Sequence, residues 1–154
     1  MKDFKTLGWR EWIGFPDLGL PRIKAKIDTG ARTSALHAFT VAPFMRDSQQ
    51  WVRFAIHPVQ GDSGTVVECE APVKDQRRVR DSGGHEELRY VIETRVRIGD
   101  DIVKSEVTLT DRDTMKFRVL LGRTALRKGF VVNPAKSYLM GKRPRVVKDE
   151  KTAS

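Results

Sequence analysis

Cysteine is almost missing from this chain of 154 residues, with Cys69 its single instance. One cysteine excludes an intrachain disulfide and a cysteine metal cluster. Alternation in Val67-Glu68-Cys69-Glu70-Ala71 puts the thiol on the apolar face. Neighbouring Glu68 and Glu70 disfavour a thiolate, so a packed thiol is expected rather than a nucleophile. Histidine is also sparse. His37, His57 and His85 lack the His-Glu-x-x-His spacing that zinc peptidases use. His37 and His57 are expected to be structural, and His85 to be solvent-exposed. No Gly-x-x-x-x-Gly-Lys-Ser/Thr loop offers a cradle for nucleotide phosphates. No metal and no other cofactor is therefore expected. No apolar run approaches the length of a membrane span. Met1 to Thr6 lacks the apolar core of a signal peptide, so a cytoplasmic protein without membrane contact is expected. Long amphipathic helices, internal repeats and low-complexity segments are missing too.

Basic residues are abundant. Lysine and arginine number 29 against 20 acidic residues, a net charge of +9. That surplus favours an anionic partner without choosing among nucleic acid, an acidic peptide and a phosphate-rich surface. Few aromatics lie outside the N-terminal segment and no nucleic-acid motif is evident, which disfavours nucleic acid. The length fits one domain with a real core. Residues 1–141 are expected to form it, and the basic, polar residues 142–154 a loose tail.

Many short strands separated by turns predict an all-β domain closed on itself. Trp9, Trp12, Ile13, Phe15, Leu18 and Leu20 stand among Gly14, Pro16, Gly19 and Pro21, which favours strands and turns over a helix. Aromatics this dense near a terminus are expected to pack on the core or on a subunit partner. Asp17 to Leu20 predicts a tight hairpin turn. Pro43 to Gln50 reads as a loop. Trp51–Ile56 and Thr65–Ala71 form a hairpin about Gly61-Asp62-Ser63-Gly64. Leu88, Tyr90, Ile92, Thr94, Val96 and Ile98 predict the apolar face of a long strand, with Arg89, Arg95 and Arg97 on its charged face. Gly99-Asp100-Asp101 turns it into a strand from Ile102 to Thr110. Val119–Leu121 is a short buried strand. Thr124 to Lys128 is expected to make one helical turn, stopped by Gly129. Phe130–Val132 and Ser137–Met140 are the last strand candidates.

The most pointed stretch runs from Ile23 to Ser34. Ile23, Ala25 and Ile27 alternate with Lys24 and Lys26, a half-buried strand. It ends in Asp28-Thr29-Gly30-Ala31, which presents a carboxylate at a strand end. Gly30 allows a sharp turn and close approach to a ligand. By itself Asp-Thr-Gly is ordinary turn chemistry. A second segment, Val119-Leu120-Leu121-Gly122-Arg123-Thr124-Ala125-Leu126, stands near the other end of the chain.

This pair, in this order, resembles the retropepsins, the retrovirus-type aspartic proteases, over roughly Ile23 to Leu139. A bacterial family is closer still, through Gly8 to Trp12, Lys24 to Leu36, and Leu120 to Arg123. That family is often labelled an ATP-dependent zinc protease. It is associated with ATP-grasp ligases that add glutamates to a ribosomal protein. The resemblance implies a closed acid-protease barrel with one short C-terminal helix, acting as a two-fold homodimer. It implies catalysis by Asp28, with Thr29 and Gly30 shaping the turn and Thr29 gripping its symmetry mate. Ala31, Leu121, Gly122 and Arg123 support the turn from beneath. The implied flap spans Val73 to Tyr90, with its tip near Asp81-Ser82-Gly83-Gly84. It is longer and more basic than retroviral flaps, and Arg32 stands where those enzymes commonly have an acidic residue.

Aspartic chemistry needs two carboxylates sharing one proton. The chain has one Asp-Thr-Gly, so a second copy must supply the other Asp28, as a two-fold axis does. Arg32, Arg77, Arg78 and Arg80, with Gly83 and Gly84, are the expected substrate contacts. Arginine forks suit carboxylates, which points to an acidic peptide or protein substrate; the family resemblance implies a glutamate-rich one and a functional link with an ATP-grasp glutamate ligase. Two readings compete with the peptidase. One is a non-catalytic module of the same fold that binds an acidic partner. The other is the metal-dependent protease of the family label.

Overall fold

The computed structural model describes residues 3–59, 62, 64–80, 83–111 and 116–141. In chain order the strands are β1 (Lys5–Leu7), β2 (Arg10–Phe15), β3 (Leu20–Ile27), β4 (Ser34–His37), β5 (Thr40–Arg46) and β6 (Gln49–Ile56). Then come β7 (Val67–Pro72), β8 (Asp75–Arg80), β9 (Glu86–Ile98), β10 (Asp101–Thr110) and β11 (Val119–Leu121). One short helix, α1 (Arg123–Leu126), precedes β12 (Phe130–Val132). The fold is therefore nearly all-β, as the density of turn residues predicts.

Three sheets form. The largest has the order β10-β4-β11-β3-β2-β9-β8, with β10 also pairing back to β9. β5, β6 and β7 form an antiparallel meander, and β1 pairs in parallel with β12. Alternation decides the faces. Ile23, Ala25 and Ile27 turn inward along β3 and join Ile13, Leu36, Ile92, Val107, Val119 and Leu121 in one core. Each such fully buried aliphatic side chain contributes about 1.5–3 kcal/mol. The turn from β2 to β3 is a single 3-10 turn, Pro16–Leu18, closed by Gly19 at φ 71°. A side chain at that angle would be strained, so glycine suits the position.

Four expectations from the sequence need correction. Pro43 to Gln50 is not a loop. β5 and β6 run through it, joined by Asp47 and Ser48, both at positive φ. Pro43 is tolerated because β5 is an edge strand, where a missing N–H costs no ladder bond on the open side. Ser137–Met140 is not a strand. The Glu11 carboxylate captures the N–H groups of Leu139 (2.9 Å) and Met140 (3.0 Å), and that of Gly8 (2.6 Å), bending the segment into a turn. The helix starts at Arg123 and ends at Leu126, earlier than the span Thr124 to Lys128.

The fourth correction concerns β9. Its buried face changes midway, with Val91 and Ile92 both buried. From Ile92 onward the predicted apolar face holds. Before it, Leu88 is exposed and Arg89 is buried. The change coincides with a change of neighbour, since β10 pairs with residues 91–98 and β8 with residues 86–91. The expected flap corresponds to the β8–β9 hairpin. Asp81 and Ser82 of its tip lie outside the described residues, as do Gly61 and Ser63 and the expected tail from residue 142.

The N-terminal aromatics pack as expected of core-bound rings. Trp9 meets Phe117 edge-on at 5.8 Å, and Trp12 stacks on Tyr138 at 6.1 Å. Cys69 is buried beneath the Leu18 carbonyl, and desolvation raises its thiol pKa to about 11. Burial, rather than the flanking glutamates, is the cause.

Candidate active site

β3 and β11 run in parallel, pairing Ala25 with Val119 and Ile27 with Leu121. Both strands end at the same level, so the residues after them meet. Asp28 N–H donates to the Leu121 carbonyl at 2.9 Å. Gly122 N–H donates to the Ser34 hydroxyl at 2.9 Å. Arg123 N–H and Thr124 N–H donate to the carbonyls of Ala31 and Arg32, each at 2.9 Å. The Arg123 guanidinium reaches the Thr29 carbonyl at 3.0 Å. Four consecutive residues, 121–124, thus hold the loop that carries Asp28. Gly122 is required by space. A Cβ there would lie 2.8 Å from the Thr33 carbonyl carbon and 3.0 Å from the Ala31 oxygen.

Within the loop, Asp28 makes an Asx turn. Its Oδ1 accepts the Gly30 N–H at 3.1 Å, and its carbonyl accepts the Ala31 N–H at 3.2 Å. Asp28 is half-buried, whereas Thr29 and Gly30 are exposed. Gly30 does not use the left-handed region.

Asp28, Gly30, Ala31 and Arg32 form one side of a cleft of about 570 Å³. Arg77, Arg78 and Arg80 of β8 form the other, with Arg89 of β9. The expected site residues thus come together except Thr29, Leu121, Gly122 and Arg123, which sit in or behind the loop, and Gly83 and Gly84, which lie toward the hairpin tip. Among the described residues, Asp28 is the sole carboxylate lining the cleft. A second cleft, of about 370 Å³, lies beside Trp12, Arg97, Gly99 and Met140 and holds none of these residues.

The hairpin cations are unequal. Arg77 is held by Asp75 and Glu106, each at 2.8 Å, and Lys74 bridges Glu93 (2.9 Å) and Glu106 (3.1 Å). The Arg77 hydrogen bond pulls the Glu106 and Asp75 carboxyls below their ordinary range, and Lys74 does the same to Glu93. Arg80 pairs with Glu86 at 2.7 Å, while Arg78 stands 4.0 Å from that carboxylate and is 77% exposed. Arg32 has no carboxylate at ion-pair distance among the described residues. Farther along β9, Arg95 binds Asp17 and Arg97 donates to the Pro21 carbonyl, both as structural partners.

Sequence reasoning missed Arg89 as a cleft residue. Strict alternation put it on the solvent face of β9. The adjacent apolar pair Val91-Ile92 was the available signal that the buried face changes.

Among the described residues, the zinc of the family label finds no fitting donor set. Among the described residues, no group of three His, Cys, Asp or Glu side chains is placed to hold a metal ion. His37 is buried, and His57 stacks on Phe39 at 4.0 Å. Among the described residues, no helix is long and apolar enough to cross a membrane.

An Asp-Thr-Gly loop pinned by Leu-Leu-Gly-Arg in a nearly all-β fold defines a retropepsin-like module. A family profile described as "Retropepsin-like aspartic endopeptidase RimB" matches residues 6–143, and the chain belongs to that RimB-like family. Curated relatives carry a different name. A "probable alpha-L-glutamate ligase" of Shewanella pealeana is 42% identical over 144 residues, 93% of this chain and 31% of the relative. Another of that name, from Parasynechococcus marenigrum, is 46% identical over 135 residues, 88% of this chain and 29% of the relative. The chain thus spans about a third of the length of these relatives. Among solved structures, Lpg0085 from Legionella pneumophila, of unknown function, is similar in fold. Its TM-score is 0.73 at 24% identity, covering 88% of this chain and 97% of that one.

Proposed function

We propose that the chain is an aspartic peptidase that works as a homodimer, with Asp28 from each copy forming the catalytic pair. The supporting observation is the Asp28 loop, pinned by residues 121–124 and open to a cleft with no second carboxylate among its described lining residues. Two Asp28 carboxylates in contact cannot both ionise. The ionised one takes a proton from water, and the protonated one polarises the scissile carbonyl. Thr29 is assigned to bracing the pair across the two-fold axis. The proposed substrate is an acidic, glutamate-rich chain. Arg32 and Arg78 give the cleft its positive field, and relatives named for glutamate ligation contain a region like this chain.

The test is a glutamate-tailed peptide offered to wild type and Asp28→Asn. The amide keeps the shape but cannot act as the base, so cleavage should vanish while the fold persists. Wild-type rates in the variant would refute the mechanism.

A second reading has its own support: an arginine-lined cleft holds a carboxylate chain whether or not it cuts it. In that reading the module presents an acidic chain to a ligase. Salt-sensitive binding that survives Asp28→Asn, with no cleavage by wild type, would favour it.

A further inference from the structure

Arg89 is the least expected member of the cleft. It is 8% exposed, yet it lines the same space as Asp28. A buried guanidinium needs its charge and its donors satisfied. Glu87 supplies half of this, its Oε1 accepting from Arg89 Nε at 2.6 Å. That oxygen also accepts the Thr110 hydroxyl at 2.7 Å, which fixes the carboxylate and through it the guanidinium. The other half is open. Among the described residues, the two Nη groups of Arg89 meet no acceptor.

Its neighbour sharpens the case. Arg77 of β8 stands directly opposite Arg89 in register. Like charges in that position repel. Arg77 is already engaged by Asp75 through Nε and by Glu106 through Nη1, and those two carboxylates balance its charge. Arg89 therefore offers more unused donors than Arg77, in a largely desolvated setting where a charge-assisted pair is stronger than at the surface. Arg78 and Arg32 add field, but their exposure makes their pairs weak.

We infer that Arg89, held by Glu87 and Thr110, is the seat for a substrate side-chain carboxylate in the cleft and sets a preference for acidic over amide side chains. This rests on the peptidase reading for its site but not for its binding chemistry. An extended peptide advances about 3.3 Å per residue, so a cleft of about 570 Å³ takes only a few residues beside Asp28. The seated carboxylate therefore belongs to a residue close to the bond that Asp28 addresses.

The experiment compares a pentaglutamate peptide with its pentaglutamine counterpart. In cleavage assays, Arg89→Gln should raise KM for the glutamate peptide about tenfold or more, the scale of a lost charge-assisted hydrogen bond. The rise should lie mainly in KM rather than kcat and be smaller for the glutamine peptide, so that the ratio of the two KM values falls. Calorimetric binding to Asp28→Asn, with and without Arg89→Gln, reads the same preference without catalysis. If wild type cleaves neither peptide but the glutamate preference in binding is lost with Arg89, the seat stands and the peptidase reading falls. If Arg89→Gln fails to fold, Thr110→Val, which removes one contact that orients the Glu87 carboxylate, should lower the preference in the same direction. A folded Arg89→Gln or Thr110→Val that keeps the full glutamate preference overturns the inference.

Discussion

The two sides of the cleft are built differently. The Asp28 loop is pinned by backbone N–H groups and carbonyls, with the Ser34 hydroxyl and the Arg123 guanidinium as the side-chain contributors. The β8–β9 hairpin opposite is laced by ion pairs among Lys74, Asp75, Arg77, Arg80, Glu86, Glu93 and Glu106. Backbone bonds of the first kind are indifferent to salt and to moderate pH. Exposed ion pairs of the second kind are screened by salt and lost on protonation. The fold therefore joins a fixed pole, where geometry matters most, to a hairpin whose hold can be adjusted by solution conditions.

The largest expected effect strikes the fixed pole from behind. Glu11, on β2, accepts three N–H groups, and Trp9, just before β2, supplies the carbonyl that takes the Ile27 N–H at 2.8 Å. Glu11→Ala leaves the buried Gly8 N–H without an acceptor, at about 1–3 kcal/mol, and frees the part-buried N–H groups of Leu139 and Met140 at a smaller cost. A large fall in thermal midpoint is expected, with Glu11→Gln intermediate. Gly122→Val comes next. Its side chain must displace Thr33 or Ala31, which costs about 1–3 kcal/mol and should remove activity beyond what the stability loss explains. Equal activity in a folded Gly122→Val would break the view that this pole is rigid.

Smaller effects belong to the hairpin. The carboxyls of Asp75, Glu93 and Glu106 are lowered in the fold. Their contribution is complete above the ordinary carboxylate range, about pH 4, and is lost as pH falls through the depressed values. Lys74 and Arg77 are raised, so they stay charged throughout that window. Protection of the β8 amides, measured against the unfolded-chain exchange rate under the same conditions, should fall in acid and in high salt, while the N–H groups of Asp28 and Arg123 keep theirs. Parallel loss at both places would erase the distinction. Cys69 offers the mildest check. With its thiol pKa at about 11 and its side chain buried, alkylation near neutral pH should not follow hairpin opening and should report global unfolding alone.

The sequence made much of the fixed pole readable. Alternation at Ile23, Ala25 and Ile27 and the small residues after Asp28 are local signals, and Leu120 to Arg123 is a local motif. Physical contact between the two segments came through the resemblance rather than from either pattern. The hairpin was less readable because its electrostatics are nonlocal. Counting charges within residues 74–81 suggests free arginines, yet Glu106 and Glu93, on other strands, occupy Arg77 and Lys74. Arg89 was hidden for a related reason: a strand that changes neighbours at Val91 also changes its buried face. Pro43 misled because proline punctuates most chains but is harmless on the open side of β5. Ser137–Met140 reads as a strand candidate, but the Glu11 carboxylate takes the N–H groups of Leu139 and Met140.

The shared site is tested most directly by subunit mixing. Wild-type chain is re-equilibrated with increasing amounts of Asp28→Asn at constant wild-type concentration, and cleavage of a glutamate-tailed peptide is followed. If each site takes one Asp28 from each copy, mixed dimers are dead. Activity per wild-type chain should then fall in proportion to the fraction of variant. Activity per wild-type chain that stays constant as the variant becomes the majority would contradict the account, because each chain would then carry a complete site of its own.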